Sequence, residues 1–314
     1  MWRILFATCI LVWSLTTLIL ASRWMNNSDS NYETEESNVI NENLLKMADI
    51  DDKGADNFDP TQTLMDLEVS VGRHDRSHHY LIYDHVVLGS QFLALSHGLG
   101  VTLCTLSSLD RLFWLVDSSR LWDGPISVAV FISGHEFDIV KTYISYLRSC
   151  FQHIRRKVSF SLSHPINSIP FSTSGFHTTD LLLTCADPRA TLTKLLSLSK
   201  PGPVNLEFPQ NHLRNIARAN SLTYYTMSLD VDILPSTGMA KPLAMFLNRN
   251  TCANCAFVIP TYEIDHKAEF PSNKSELVNL VKKLQARPYH SKVFIHNQFA
   301  TNFSSWVIFS INID

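Results

Sequence analysis

The stretch from Tyr224 to Pro235, YYTMSLDVDILP, limits what this chain can fold into more than any other. Its first half is aromatic and apolar over strand length, which predicts a buried strand of a parallel sheet, covered on both faces. Two carboxylates, Asp230 and Asp232, then follow with a single residue between them. In an extended chain that spacing points both acids the same way, and the bend at a strand's end lets them converge on one cation. Open α/β sheets collect ligands at the carboxyl ends of their strands. Paired aspartates supply hard oxygen ligands suited to Mg2+ or Mn2+, ions that keep waters and share substrate phosphates. The chemistry expected here is that of a nucleotide-sugar site.

Upstream, the chain alternates between strand and helix patterns. Val101–Leu106 is the first good strand of the core, and Ser107-Ser108 can cap a helix with Asp110 near its amino end. Leu109, Leu112, Phe113 and Val116 give that helix one apolar stripe. After the turn at Asp123-Gly124-Pro125, the run from Ile126 to Ile132 is continuously apolar, as a central strand would be. A helix is predicted from Phe137 to Cys150, with Val140, Tyr143, Ile144 and Leu147 on its buried side, and a strand from Val158 to Leu162. This alternation predicts an α/β fold with a mostly parallel sheet and right-handed crossovers. A further helix, Phe208 to Arg218, places Arg214 and Arg218 on one face just ahead of the acid pair. They are a solvated basic face or a phosphate and sugar contact.

The amino-terminal region divides by composition. Residues 1–3 are expected to be a short cytoplasmic tail, and the uncharged run from Ile4 to Ala21 would cross about 27 Å as a helix. It exceeds the usual signal-peptide core and predicts an uncleaved transmembrane signal anchor, with cleavage at Ala21-Ser22 as the alternative. Residues 22–79 read as an acidic stem, because carboxylates there far outnumber lysines and too little apolar area is present to offset ordering entropy. His74, His78 and His79 near its end read as a surface cluster rather than a metal site. The folded domain is expected over residues 80–314. Three sequons, at Asn26, Asn273 and Asn302, all lie on the carboxyl side of the apolar run, as a lumenal domain would allow. A net charge of -3 offers no footprint for nucleic acid. Six cysteines are too few for a disulfide scaffold. The pairing of Cys104, Cys150, Cys185, Cys252 and Cys255 stays open, with a structural or disulfide role favoured over zinc for Cys252 and Cys255.

Four blocks in order carry a resemblance: FPQNHLRNIAR from Phe208, DVDILPSTG from Asp230, VIPTYEI from Val258 and PSNKSEL from Pro271. With WDGPISVAVF from Trp122, they resemble glycosyltransferase family 49 from about Val101 to the last residue. The resemblance implies a GT-A (Rossmann-like) fold, Mn2+, and a UDP-sugar donor, UDP-glucuronate in the glucuronyltransferase members. It implies transfer with inversion to a xylose-containing O-mannosyl glycan of the dystroglycan type on a glycoprotein. It also implies a Golgi membrane protein, single-pass type II, with a lumenal catalytic domain. By matching motif, Asp230 and Asp232 are the metal acids, and Glu263, in the VIPTYEI block, is a candidate to orient sugar hydroxyls or to serve near the acceptor; Arg214 and Arg218, on the helix that leads into the acid pair, are candidate UDP-sugar contacts.

The family's catalytic domain continues beyond the block that ends at Asp314, into a region carrying a third metal ligand, a histidine. His290 and His296 lie in the wrong block to replace it. The chain therefore reads as a carboxyl-terminally truncated member. The alternative to a glucuronyltransferase is a catalytically inactive form that associates with other Golgi glycosyltransferases as a lumenal partner.

Overall fold

A computed structural model describes residues 2–6, 72–133, 136–168, 184–197, 207–250, 252, 255–293 and 301–308. Most of the apolar run, the stem to residue 71, the sequon at Asn26 and His296 fall outside these residues. The chain divides into two compact units, Tyr32–Arg120 with Gly124–Val231, and Met1–Asn31 with Leu121–Asp123 and Asp232–Asp314.

The first unit is built on six strands: β2 (Arg73–His74), β3 (Tyr80–Val87), β4 (Val101–Ser108), β5 (Ile126–Phe131), β6 (Val158–Pro165) and β7 (Tyr225–Asp230). Their order across the sheet is β2-β3-β6-β5-β4-β7. Strand β4 pairs in parallel with both β5 and β7, β5 pairs in parallel with β6, and β3 runs antiparallel to β6. Four parallel strands thus form the mostly parallel core that the alternation predicts, with an antiparallel extension on one side. Every residue of β5 is buried, as its unbroken apolar run requires.

Helices α1 (Phe92–Leu99), α2 (Leu115–Leu121), α3 (Phe137–Cys150), α4 (Gln152–Lys157), α5 (Pro188–Ser197) and α6 (Gln210–Ala219) connect these strands, with a 3₁₀ segment at Leu109–Trp114. Helix α3 has the expected bounds, and Val140, Tyr143, Ile144 and Leu147 are all buried. A tight turn leads into it: the Glu136 carboxylate accepts from the Ser133 N–H at 2.7 Å, and the Glu136 N–H donates to the Ser133 carbonyl at 3.0 Å. Helix α6 begins after Pro209, and Leu213, Ile216 and Ala217 form its buried stripe. They pack on Cys104, Leu106, Ala129 and Phe131. The register places Cys104 level with Ser127 and Ser159, and Leu106 level with Ala129 and Ser161. These small side chains give a helix room to lie close on the sheet. Asn220, at the end of α6, then donates to Ser161 Oγ at 2.8 Å.

The second unit contains β1 (Trp2–Phe6), β8 (Ile233–Leu234), β9 (Thr261–Asp265) and β10 (Ala286–Pro288) in the order β10-β9-β1-β8, with helices α7 (Ala240–Arg249), α8 (Lys274–Lys282) and α9 (Phe303–Ile308). Its core joins Tyr262, Ile264, Leu277, Ala286 and Trp306. The Trp-Asp-Gly-Pro turn has a plain structural role here. Trp122 is fully buried, and Asp123 accepts the Ala240 N–H at 2.8 Å, capping α7. Residues 4–6, read from sequence as the start of a helix, lie in β1, parallel to β8 and antiparallel to β9. Branched and aromatic residues there suit a strand as well as a helix. No helix among the described residues is long and apolar enough to cross a membrane.

Two disulfides are present, Cys150–Cys185 and Cys252–Cys255, and Cys104 is free and buried. The first ties the end of α3 to the chain ahead of α5. Burial pushes the Cys104 thiol up to about 12, against the opposing charge of Arg218.

Three imidazoles are drawn into the sheet's polar seams. His85 Nδ1 lies 2.7 Å from Ser159 Oγ, His164 Nε2 lies 3.2 Å from Tyr83 OH, and His212 Nε2 lies 2.9 Å from Ser163 Oγ. Burial holds all three below the ordinary histidine value of 6.5. The folded chain therefore binds fewer protons than the unfolded chain just below that value, so their contribution to stability is complete above 6.5 and is lost as pH falls. Urea unfolding should show a lower midpoint at pH 5.5 than at pH 7.5, and His164→Gln should flatten the difference. A midpoint that rises on acidification would contradict this assignment.

Candidate active site

The chain builds β4, β5 and β6 outward in one direction, then returns to lay β7 on the opposite side of β4. The strand order reverses between β4 and β7, and their carboxyl ends form the topological switch point where open α/β sheets bind ligands. Asp230 is the last residue of β7 and stands level with Leu106 of β4. Asp232 follows in the turn before β8. The first acid of the pair is thus at the strand end that its sequence context predicts.

Arg214 comes to the same place from above the sheet. Its Nη2 donates to Asp230 Oδ1 at 2.9 Å, and both side chains remain partly in water. Arg218, one helical turn later, is exposed and reaches Cys104 by its charge. The structure therefore separates the two arginines: Arg214 belongs to the acid end of β7, and Arg218 lies further back along the sheet.

Around this edge, Ser108 Oγ at the end of β4 donates to Asp110 Oδ1 at 2.5 Å. Toward β6, an aromatic group gathers at the same edge. Tyr80 stacks on His212 at 4.3 Å, and Phe131 meets Tyr80 and Phe208 edge-on. Ser163 Oγ donates to the Leu81 carbonyl at 3.1 Å, so the His212 Nε2–H must be the donor in the Ser163–His212 bond. No sequence signal groups Tyr80, Ser163 and His212. Tyr80 and Ser163 lie far from α6 in the chain and meet His212 only through the β3–β6 pairing.

No group of three or more His, Cys, Asp or Glu side chains suited to holding a metal is found among the described residues. Two carboxylates with one residue between them fit a hard divalent ion that completes its coordination with diphosphate oxygens and water. They do not fit a closed structural site such as zinc.

Glu263 is in the second unit, on β9, and is 8% exposed. It stands directly opposite Arg287 of β10, whose Nε donates to Oε2 at 2.6 Å, and its Oε1 accepts the His290 N–H at 3.0 Å. His290 stacks on Tyr289 at 3.8 Å. Both Glu263 oxygens are therefore engaged in fastening β10 and its following turn to β9.

The two described sequon asparagines are exposed, and each opens a helix. Asn273 Oδ1 accepts the Glu276 N–H at 3.0 Å ahead of α8, and Asn302 Oδ1 accepts the Ser305 N–H at 3.0 Å ahead of α9. Glycosylation at Nδ2 leaves such a cap oxygen in place. His74 and His78, 5.4 Å apart, flank the hairpin turn organised by Asp75, which accepts N–H groups from Ser77, His79 and Tyr80.

Removing the Glu263 carboxylate takes the cross-strand ion pair away from a guanidinium that is only 25% exposed. Glu263→Ala should lower the unfolding free energy by about 1–3 kcal/mol in urea titrations. An unchanged unfolding curve would show that this pair does not fasten β10.

A family profile described as glycosyl-transferase for dystroglycan matches residues 100–313. Beta-1,4-glucuronyltransferase 1 of Homo sapiens is 32% identical over 217 residues, covering 66% of this chain and 51% of that protein. The protein of the same name from Danio rerio is 27% identical over 213 residues, covering 66% of this chain and 49% of its own length. Xylosyl- and glucuronyltransferase LARGE2 of Mus musculus is 23% identical over 211 residues, with 66% of this chain and 25% of that protein covered. The chain spans about half the length of the glucuronyltransferases it matches. The matched residues take in β4 to β7, both acids and Arg214, and the chain belongs to glycosyltransferase family 49.

Proposed function

We propose that this chain is a Mn2+-dependent, inverting GT-A glycosyltransferase that moves glucuronate from UDP-glucuronate to a xylose-containing O-mannosyl glycan on a glycoprotein. The observation that carries this reading is Asp230, a carboxylate closing the edge strand at the sheet's switch point, in a chain of this family. In the reaction the acceptor hydroxyl oxygen bonds to the anomeric carbon, that carbon's bond to the diphosphate oxygen breaks, and the hydroxyl proton passes to a base. Bound Mn2+ would supply charge neutralisation on the departing diphosphate. Asp230 and Asp232 would hold that ion, and Arg214 would add a second positive group on the same side. Glu263, already engaged by Arg287 and His290, is better suited to positioning than to accepting the proton.

We place the chain in the Golgi lumen, as a single-pass type II membrane protein anchored by residues 4–21. Two disulfides favour an oxidising compartment, and the exposed sequons at Asn273 and Asn302 are accessible to modification. Residues 4–6 serve either β1 or the anchor, so membrane insertion would withdraw them from the small sheet.

The full chain, incubated with UDP-glucuronate, Mn2+ and a xylosyl acceptor, should release UDP, and the Asp230→Asn, Asp232→Asn double variant should lose about 100-fold or more of that rate. Equal turnover in the double variant would overturn the reading. No turnover by the unaltered chain, together with its capture on another Golgi glycosyltransferase, would favour the role of inactive partner. Resistance of the expressed chain to alkaline extraction from membranes, with a mass shift on endoglycosidase treatment, tests the placement; a soluble, unglycosylated product would contradict it.

A further inference from the structure

The contact between Arg214 and Asp230 takes up one of the two carboxylate oxygens open to a divalent ion and sets a positive charge beside the other. The two ends of this ion pair are held differently. Asp230 is fixed by the β4–β7 ladder, and the backbone of Arg214 is fixed because its neighbours Leu213, Ile216 and Ala217 are locked against the sheet. The Arg214 side chain, by contrast, keeps 39% of its surface in water and the Asp230 side chain 36%. A long, half-solvated arm on a rigid base can change partner without disturbing the fold.

The electrostatics then distinguish two states. With the strand end bare, the guanidinium supplies the positive charge that the acid requires. Once a divalent cation sits on Asp230, a guanidinium on the same carboxylate is repelled by the stronger charge. A diphosphate brought in beside the cation carries several negative oxygens and takes a planar guanidinium in a bidentate manner. Arg214 thus has a better partner available only when both cation and diphosphate are present.

We propose that Arg214 is an exchangeable counter-ion: it holds Asp230 in the ligand-free chain and passes to the nucleotide diphosphate as the cation takes its place. The inference rests on reading Asp230 as the metal acid. It makes Arg214 a coupling residue, one that opposes binding of the cation alone and favours binding of cation and nucleoside diphosphate together. Because coupling is reciprocal, the nucleotide must tighten the cation by the same factor as the cation tightens the nucleotide.

The test is a titration of the full chain with Mn2+, followed by the paramagnetic resonance signal of the free ion, with and without UDP, for the unaltered chain and for Arg214→Gln and Arg214→Lys. In Arg214→Gln, Mn2+ alone should bind about two- to fivefold tighter, the range for releasing a half-exposed ion pair. The tightening of Mn2+ by UDP should shrink, and UDP should bind more weakly. Arg214→Lys, which keeps the charge but not the fork, should retain part of the coupling. Mn2+ affinity that is unchanged or weaker in Arg214→Gln, with UDP coupling intact, would overturn the counter-ion exchange while leaving Asp230 as a metal acid. If the unaltered chain takes up no Mn2+ in either condition, the metal reading fails and the exchange fails with it.

Discussion

The parallel ladder between β4 and β7 is the constraint on which the rest of the larger unit depends. Strand β7 comes last of the four parallel strands in the chain, yet it lies beside the first of them, so the sheet reverses its winding there. That reversal sets the carboxyl ends of the two strands side by side at a switch point, the geometry α/β proteins use for ligands. Register does the remaining work. Six successive residue pairs, from Val101 with Tyr225 to Leu106 with Asp230, bring the acid to the carboxyl rim. A slip of one residue would turn Asp230 to the other face and bury Ser228 in place of Leu229.

Helix α6 turns that rim into a charged site. It can lie close to the sheet because Ser127, Ala129, Ser159 and Ser161 keep the underlying face low, while Leu213, Ile216 and Ala217 fill the space above it. Close packing in this sense sets the position of Arg214 to within reach of Asp230. The same helix places His212 against Ser163 and Tyr80. One short amphipathic segment therefore joins the packing of the core to the electrostatics at the strand ends.

Much of this was legible in the sequence where a single periodicity ruled. Helix α3 and strand β5 were plain because a 3.6-residue stripe and an unbroken apolar run each have one good solution. Strand β3 has no such single periodicity. Its alternation breaks at Asp84 and His85, where the β3–β6 register shifts and His85 takes a positive φ of 49°. The acid pair and the helix ahead of it were readable, but the division between Arg214 and Arg218 was not. Spacing alone puts both on one face, and only the helix's seat on β4 and β5 decides which of them reaches β7. The partner of Glu263 was hidden for a related reason. Arg287 lies 24 residues away and meets it through strand pairing. The pairing of Cys150 with Cys185 likewise depends on where α3 ends relative to the segment before α5. Residues 4–6 show the limit of apolarity as a signal, since the side chains that suit a bilayer also suit a strand.

The central claim is that the end of β7 is where cation and diphosphate meet. Anomalous scattering from crystals of the full chain grown with Mn2+ and UDP tests it most directly. The account predicts a manganese peak in direct contact with the Asp230 carboxylate, with diphosphate oxygens on its far side. A peak held by other side chains, with Asp230 still turned to Arg214, would contradict it.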